Sequence, residues 1–229
     1  MEANYFLYKS HLQLNELEQS VHYLKKIVTD KENKYTIEGV ASLAEISYNL
    51  KQYISSESYY NKLYQLSTTI DTKQKAILGL LESKFMLYQY HDIINTIDTY
   101  VEDDFFSGPE KLRVQYLNAI SFYKVNQLQN ALSAFSWLIN NSDGDLKAEA
   151  YYYKSLILYN NGEYVNSQEV IFKLINELPG YEEWINNALL LLAKNYLARE
   201  DMFQAQHVLM ELKKKTQDVE ILNKINLIL

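Results

Sequence analysis

The chain has no cysteine, two prolines, six glycines and fewer basic than acidic residues. Without cysteine there is no disulfide, no thiolate metal site and no cysteine nucleophile. Two prolines and six glycines in 229 residues are too few for the many turns of a β-sandwich. Both residue types punctuate helices, so their scarcity favours a nearly all-α chain. No segment approaches the run of ~18 uncharged apolar residues that a membrane span needs. The start, Met-Glu-Ala-Asn-Tyr-Phe, lacks the basic and apolar regions of a signal peptide. A formal net charge of -7 weighs against a nucleic-acid partner, whose phosphates call for clustered Lys and Arg. What the chain does have in quantity is tyrosine, 21 residues of it.

The second abundance is repetition. Ala148 to Pro179 reads as two apolar-striped helical segments around a turn at Asn160-Asn161-Gly162. With Ala148 as position 1, further units start near residues 1, 37, 74, 112 and 186. Position 12 then holds Leu12, Tyr48, Phe85, Tyr123, Tyr159 and Leu197. Position 20 holds Ser20, Ser56, Ile93, Ala131, Ser167 and Ala205, small in all but one. Position 24 holds Leu24, Tyr60, Ile97, Phe135, Ile171 and Leu209. Positions 17, 20, 24 and 27 are three or four residues apart, the helical period that puts them on one stripe. A hairpin of this size cannot bury its apolar face alone and must stack on its neighbours.

The unit resembles a tetratricopeptide repeat, most closely from Ala148 to Pro179, where Ser155, Gly162, Tyr164, Ser167 and Pro179 stand in register. Elsewhere the turn glycine is replaced by Asn15, Lys51, Tyr88, Asn126 and Glu200, and the closing proline by Glu32, Thr68, Phe105, Asp143 and Gln217. The resemblance implies an all-α solenoid, a right-handed superhelix of about six hairpins. Loops are expected at 103–109, where Pro109 can open the next helix, and at 140–145, with Asp145 as N-cap. Neither has linker composition, so one continuous domain is expected over 1–229. Residues 218–229 form a closing helix that Asp218 caps, with Val219, Leu222, Ile225 and Leu229 on one face. Its apolar end, Ile-Asn-Leu-Ile-Leu, raises self-association through this helix as a possibility.

Chemistry is sparse. His11, His22, His91 and His207 lie in different places, no two at i, i+4 as a zinc pair requires. No glycine-rich phosphate loop, Gly-x-Ser-x-Gly or His-Glu-x-x-His occurs. No enzyme activity, metal or cofactor is expected. The tyrosines point to binding instead. In tetratricopeptide-like stacks the first helices line the concave face, which implies a groove of Tyr5, Tyr48, Phe85, Tyr116, Tyr123, Tyr152 and Tyr159 for a protein or peptide partner. Tyrosine suits such a wall through its rigid area and orienting hydroxyl, although the same columns can equally pack between hairpins. Lys75, Arg113 and Lys124 form a possible basic spot. The family's carboxylate clamp is absent, since position 9 reads Lys9, Glu45, Glu82, Ile120, Leu156 and Lys194. The alternatives are a structural subunit docking through its array end or convex face, and a peptide or small-ligand receptor. Richness in Asn, Lys, Ile and Tyr resembles a bacterial protein and leaves cytoplasm and periplasm both open.

Overall fold

The computed structural model describes residues 2–28, 33–102 and 104–228. Met1, Thr29 to Glu32, Asp103 and Leu229 lie outside them, and with them the expectations placed on Glu32, Asp103 and Leu229. The described residues form thirteen α-helices and no strand. First and second helices alternate: α1 (Glu2–Gln13) and α2 (Leu17–Val28), α3 (Thr36–Asn49) and α4 (Tyr53–Leu66), α5 (Ile70–Met86) and α6 (Tyr90–Tyr100), α7 (Gly108–Lys124) and α8 (Leu128–Asn141), α9 (Gly144–Asn160) and α10 (Tyr164–Glu177), α11 (Glu182–Ala198) and α12 (Met202–Lys215). A last helix, α13 (Val219–Ile228), follows. This is an all-α helical-repeat fold of six hairpins. Contacts gather it into two compact units, which divide between Ser121 and Phe122.

Within each unit, packing follows the repeat columns. Position 20 is fully buried in all six hairpins, and so is position 24 apart from a few per cent at Tyr60 and Ile97. Small residues at position 20 let the two helices approach until side chain meets backbone. The hydroxyls of Ser20, Ser56 and Ser167 donate to the position-8 carbonyls of Tyr8, Ala44 and Ser155 at 3.4, 3.0 and 2.8 Å. A residue from the next hairpin joins two of these bonds. Ser83 donates to the Ser56 hydroxyl at 2.9 Å, and the Asn195 amide donates to that of Ser167 at 3.0 Å. Position 27 is buried everywhere except at Tyr100, the last residue of α6, which has 11 residues against 14 in α4.

All six hairpin turns share one geometry. Position 15 lies in the left-handed region in each: Asn15, Lys51, Tyr88, Asn126, Gly162 and Glu200, with φ between 58° and 78°. The next residue's N–H reaches back to position 11 (Glu16 to His11, Gln52 to Ser47, Gln89 to Lys84, Gln127 to Phe122, Glu163 to Leu158, Asp201 to Tyr196), and position 15 bonds to position 12. This pair of bonds is the Schellman C-cap, which satisfies carbonyls a helix end leaves open. Five of the six turns keep it without glycine.

Two details differ from expectation. Asp143 occupies the N-cap of α9, and Asp145 falls inside its first turn, where its carboxylate accepts from the Trp184 indole instead. Asp218 does cap α13, accepting from Glu220 and Ile221. The buried stripe of α13, however, is Ile221 and Ile225, while Val219 remains 70% exposed. As first residue of the helix, Val219 has no preceding turn to lean on.

Candidate protein-binding face

The first helices carry the residues that reading by column selects, and the two units present them differently. In the first unit, charge dominates. Position 9 of one hairpin pairs with position 2 of the next: Lys9 with Glu38, Glu45 with Lys75 at 2.5 Å, and Glu82 with Arg113. The last pair is bidentate, Arg113 donating to the two Glu82 oxygens at 2.6 and 2.8 Å, the strongest geometry for such a bond. Arg113 also lies over the Tyr116 ring, 5.2 Å from its centroid. At the other end of the ladder, Tyr5 and Tyr8 donate to Glu38. Burial pushes the Glu38 carboxyl up, but bonds from Lys9, Tyr5 and Tyr8 outweigh it and leave the group below its ordinary value. Lys75 and Arg113 are therefore matched cations and form no free basic spot.

Tyr48 and Phe85 stand at the turn ends of α3 and α5, where each closes its own hairpin. Tyr48 meets Tyr53 edge-on at 5.4 Å between centroids, and Phe85 meets Tyr90 at 6.0 Å. Burial raises the Tyr48 phenol, with the Glu82 charge adding to it.

In the second unit, aromatic contact dominates. Tyr152 of α9 lies 5.7 Å from Trp184 of α11, and Trp184 is oriented by a 2.8 Å bond from its indole N–H to Asp145. Burial raises the Tyr152 phenol, and the Lys224 charge on α13 opposes the rise. Tyr153 joins Tyr152, Tyr123 and Phe135, stacking on the last at 5.2 Å. Lys124 is exposed above the Tyr123 ring. Tyr159 packs on Tyr164 across its own turn, as Tyr48 does on Tyr53. A cavity of 890 Å³ opens beside α11 and α13, lined by Glu182, Glu183, Asp218 and Glu220 with Lys215 and Lys224. Glu220 holds Lys224 at 2.6 Å.

The structure thus separates the predicted residues. Tyr152, at position 5, faces the neighbouring first helix α11, and Tyr116, at the same position, lies under Arg113 of its own helix; Tyr48, Phe85 and Tyr159, at position 12, close turns. Reading by column misses Trp184 and Asp145 because α9 and α11 begin a turn before the repeat template does. It also misses the ion-pair ladder, whose signal is present but emerges only when position 9 is read against the following position 2. Among the described residues, no three His, Asp or Glu side chains are placed to hold a metal ion, and no helix is long and apolar enough to cross a membrane.

No protein-family model matches the chain, and no curated protein matches it in sequence. Solved structures do match in fold. MamA is 17% identical, with a TM-score of 0.65 over 80% of this chain and 93% of its own. YrrB, described as a TPR protein with an unusual peptide-binding site, is 15% identical, with a TM-score of 0.64 over 86% and 94%. PilF of Pseudomonas aeruginosa is 16% identical, with a TM-score of 0.62 over 99% and 96%.

Proposed function

We infer that this chain, tetratricopeptide-like in fold, is a non-enzymatic scaffold that binds a segment of another protein across its first helices. The observation that carries this reading is the Tyr152–Trp184 pair. Two large rings on neighbouring first helices are fixed by Asp145 and Tyr153 yet remain partly exposed. Such rings lose little freedom on binding and supply most of the energy in interfaces of this kind. Tyr123 and Lys124 flank the pair in the same unit. Tyr116, under Arg113, is the corresponding anchor of the first unit, and Tyr48, Phe85 and Tyr159 contribute ring edges at the turns. YrrB is a precedent for a peptide-binding site on this fold.

The test is selection of binding peptides from a displayed library, followed by titration of Tyr152→Ala, Trp184→Ala and Tyr116→Ala variants. Each substitution is expected to weaken binding by about 1–3 kcal/mol while helicity by circular dichroism stays unchanged. Peptides that bind all three variants as tightly as the parent would sink the reading.

A second reading, assembly through the C-terminal helix, rests on Val219 and Leu227, which are 70% and 86% exposed. A sedimentation profile independent of concentration, and unchanged by Leu227→Lys, removes it.

A further inference from the structure

The second unit contains a smaller pocket, 300 Å³, between α8 and α10 against α9. Ser136 and Asn140 line it from α8, Tyr151 and Lys154 from α9, and Lys173 and Glu177 from α10. We propose that this pocket is a site for a phosphate monoester, the group carried by a phosphorylated serine, threonine or tyrosine side chain.

The charge in this pocket is unmatched. Elsewhere in this acidic chain, partly buried cations meet carboxylates: Lys84 meets Glu57 at 3.0 Å and Arg113 meets Glu82. Lys154 and Lys173 have no such partner among the described residues. The one carboxylate lining the pocket, Glu177, is already engaged by the Tyr151 hydroxyl at 2.9 Å and by Lys147 at 3.4 Å. Two ammonium groups therefore share a concave space whose one carboxylate is already paired with Lys147. Burial, and next the charge of Lys173, keep the Lys154 ammonium below the ordinary lysine value.

An anion bound here relieves both the burial and the repulsion. A carboxylate leaves one lysine unmatched, whereas a phosphate monoester carries about -1.5 to -2 charge at neutral pH and meets two point-charge donors. The exposed Asn140 carboxamide at the rim supplies a neutral donor. The pocket does not continue into a basic stripe: α8 contains no charged residue, and the other charged residues of α10 are Glu169 and Glu177 apart from Lys173 itself. A nucleic-acid backbone would thus find one phosphate subsite and no track, while a single modified side chain fits the pocket's extent. Tyr151 and Lys154 come from the first helix α9, but neither they nor the α8 and α10 residues belong to the aromatic set of the peptide reading above, so the site stands independently of it.

The experiment titrates the full chain calorimetrically with O-phosphoserine, inorganic phosphate and a short single-stranded RNA, alongside thermal melts in phosphate and in chloride of equal ionic strength. Saturable heat with phosphoserine and with phosphate is expected, and a higher melting midpoint in phosphate than in chloride. Lys173→Ala lowers phosphoserine affinity about tenfold. Lys154→Met does the same while raising the midpoint without ligand, and Lys154→Arg retains binding. Should Lys154→Met fail to fold, the exposed Lys173 carries the test alone. Heat unchanged in Lys173→Ala, or equal midpoints in phosphate and chloride, overturns the site. Binding of inorganic phosphate without phosphoserine, or RNA binding that phosphoserine displaces from a tighter complex, overturns its assignment to a modified protein side chain.

Discussion

At Lys51 the backbone sits at φ 59°, where a Cβ crowds the following carbonyl at a cost of roughly 1–2 kcal/mol. Glu200 at 63° is in the same position. Both side chains are exposed, and among the described residues neither has a hydrogen bond or ion pair that would offset the crowding. The conformation persists because the hydrogen bonds of the turn and the packing of the two helices fix it. Lys51→Gly and Glu200→Gly should each stabilise the fold by about 0.5–1 kcal/mol, the steric relief less glycine's extra unfolded-state entropy. Urea melts with unchanged slope would read this out, and a loss of stability would show that the side chains matter in some other way. The turns themselves are legible in the sequence from the spacing of Gly162, but that five residues of four other types take the glycine conformation is not. That outcome depends on helix packing, which a column of letters does not display.

Two buried phenols give the molecule an alkaline limit. Burial, with a contribution from Glu45, pushes Tyr60 up to about 12, and burial with the Glu177 bond pushes Tyr151 up to about 12. In the unfolded chain both titrate near ~10. Their stabilising contribution is therefore complete below that value and is lost as pH rises through about 10 to 12, on the order of 2 kcal/mol each. The thermal midpoint should fall steeply over this window, and Tyr60→Phe should flatten the fall. An equally steep fall in Tyr60→Phe would count against Tyr60 as a cause.

Between elements, neighbouring hairpins match volumes. Position 24 of one hairpin packs on position 6 of the next first helix. In the second unit this joins Phe135 to Tyr153, whose rings stack at 6°. In the first unit it joins Tyr60 to Gly79, and a Cβ on Gly79 would come within 2.2 Å of the Tyr60 ring. Helix propensity alone favours Gly79→Ala by about 1 kcal/mol, yet overpacking costs about 1–3 kcal/mol. Gly79→Ala is therefore expected to destabilise, and to become neutral or stabilising in a Tyr60→Leu background, where the ring is gone. A double-mutant cycle that proves additive would refute the contact. Sequence periodicity was enough to place Tyr60 on the buried stripe. It could not supply the partner, because Gly79 and Tyr60 stand in different columns of different hairpins. The same limit hid Trp184 and Asp145, which the longer first helices bring together 39 residues apart.

Across the whole molecule, the six hairpins share a turn and a buried stripe, but not all of the ion pairs between them are interchangeable. The sign of the ladder in the first unit reverses once: Lys9 faces Glu38, whereas Glu45 faces Lys75 and Glu82 faces Arg113. Removing the second hairpin, residues 37–73, would set Lys9 against Lys75, whereas removing the third, residues 74–111, would set Glu45 against Arg113. The second deletion should give the more stable and more soluble product, which parallel expression and thermal melts would compare; the opposite ranking would deny the ladder any such role. Near-identical repeats risk pairing out of turn, within one chain or between two. The single reversal works against this as a partial form of addressing: it sets the first junction apart from the two that follow, so the place of the second hairpin is written into its charges.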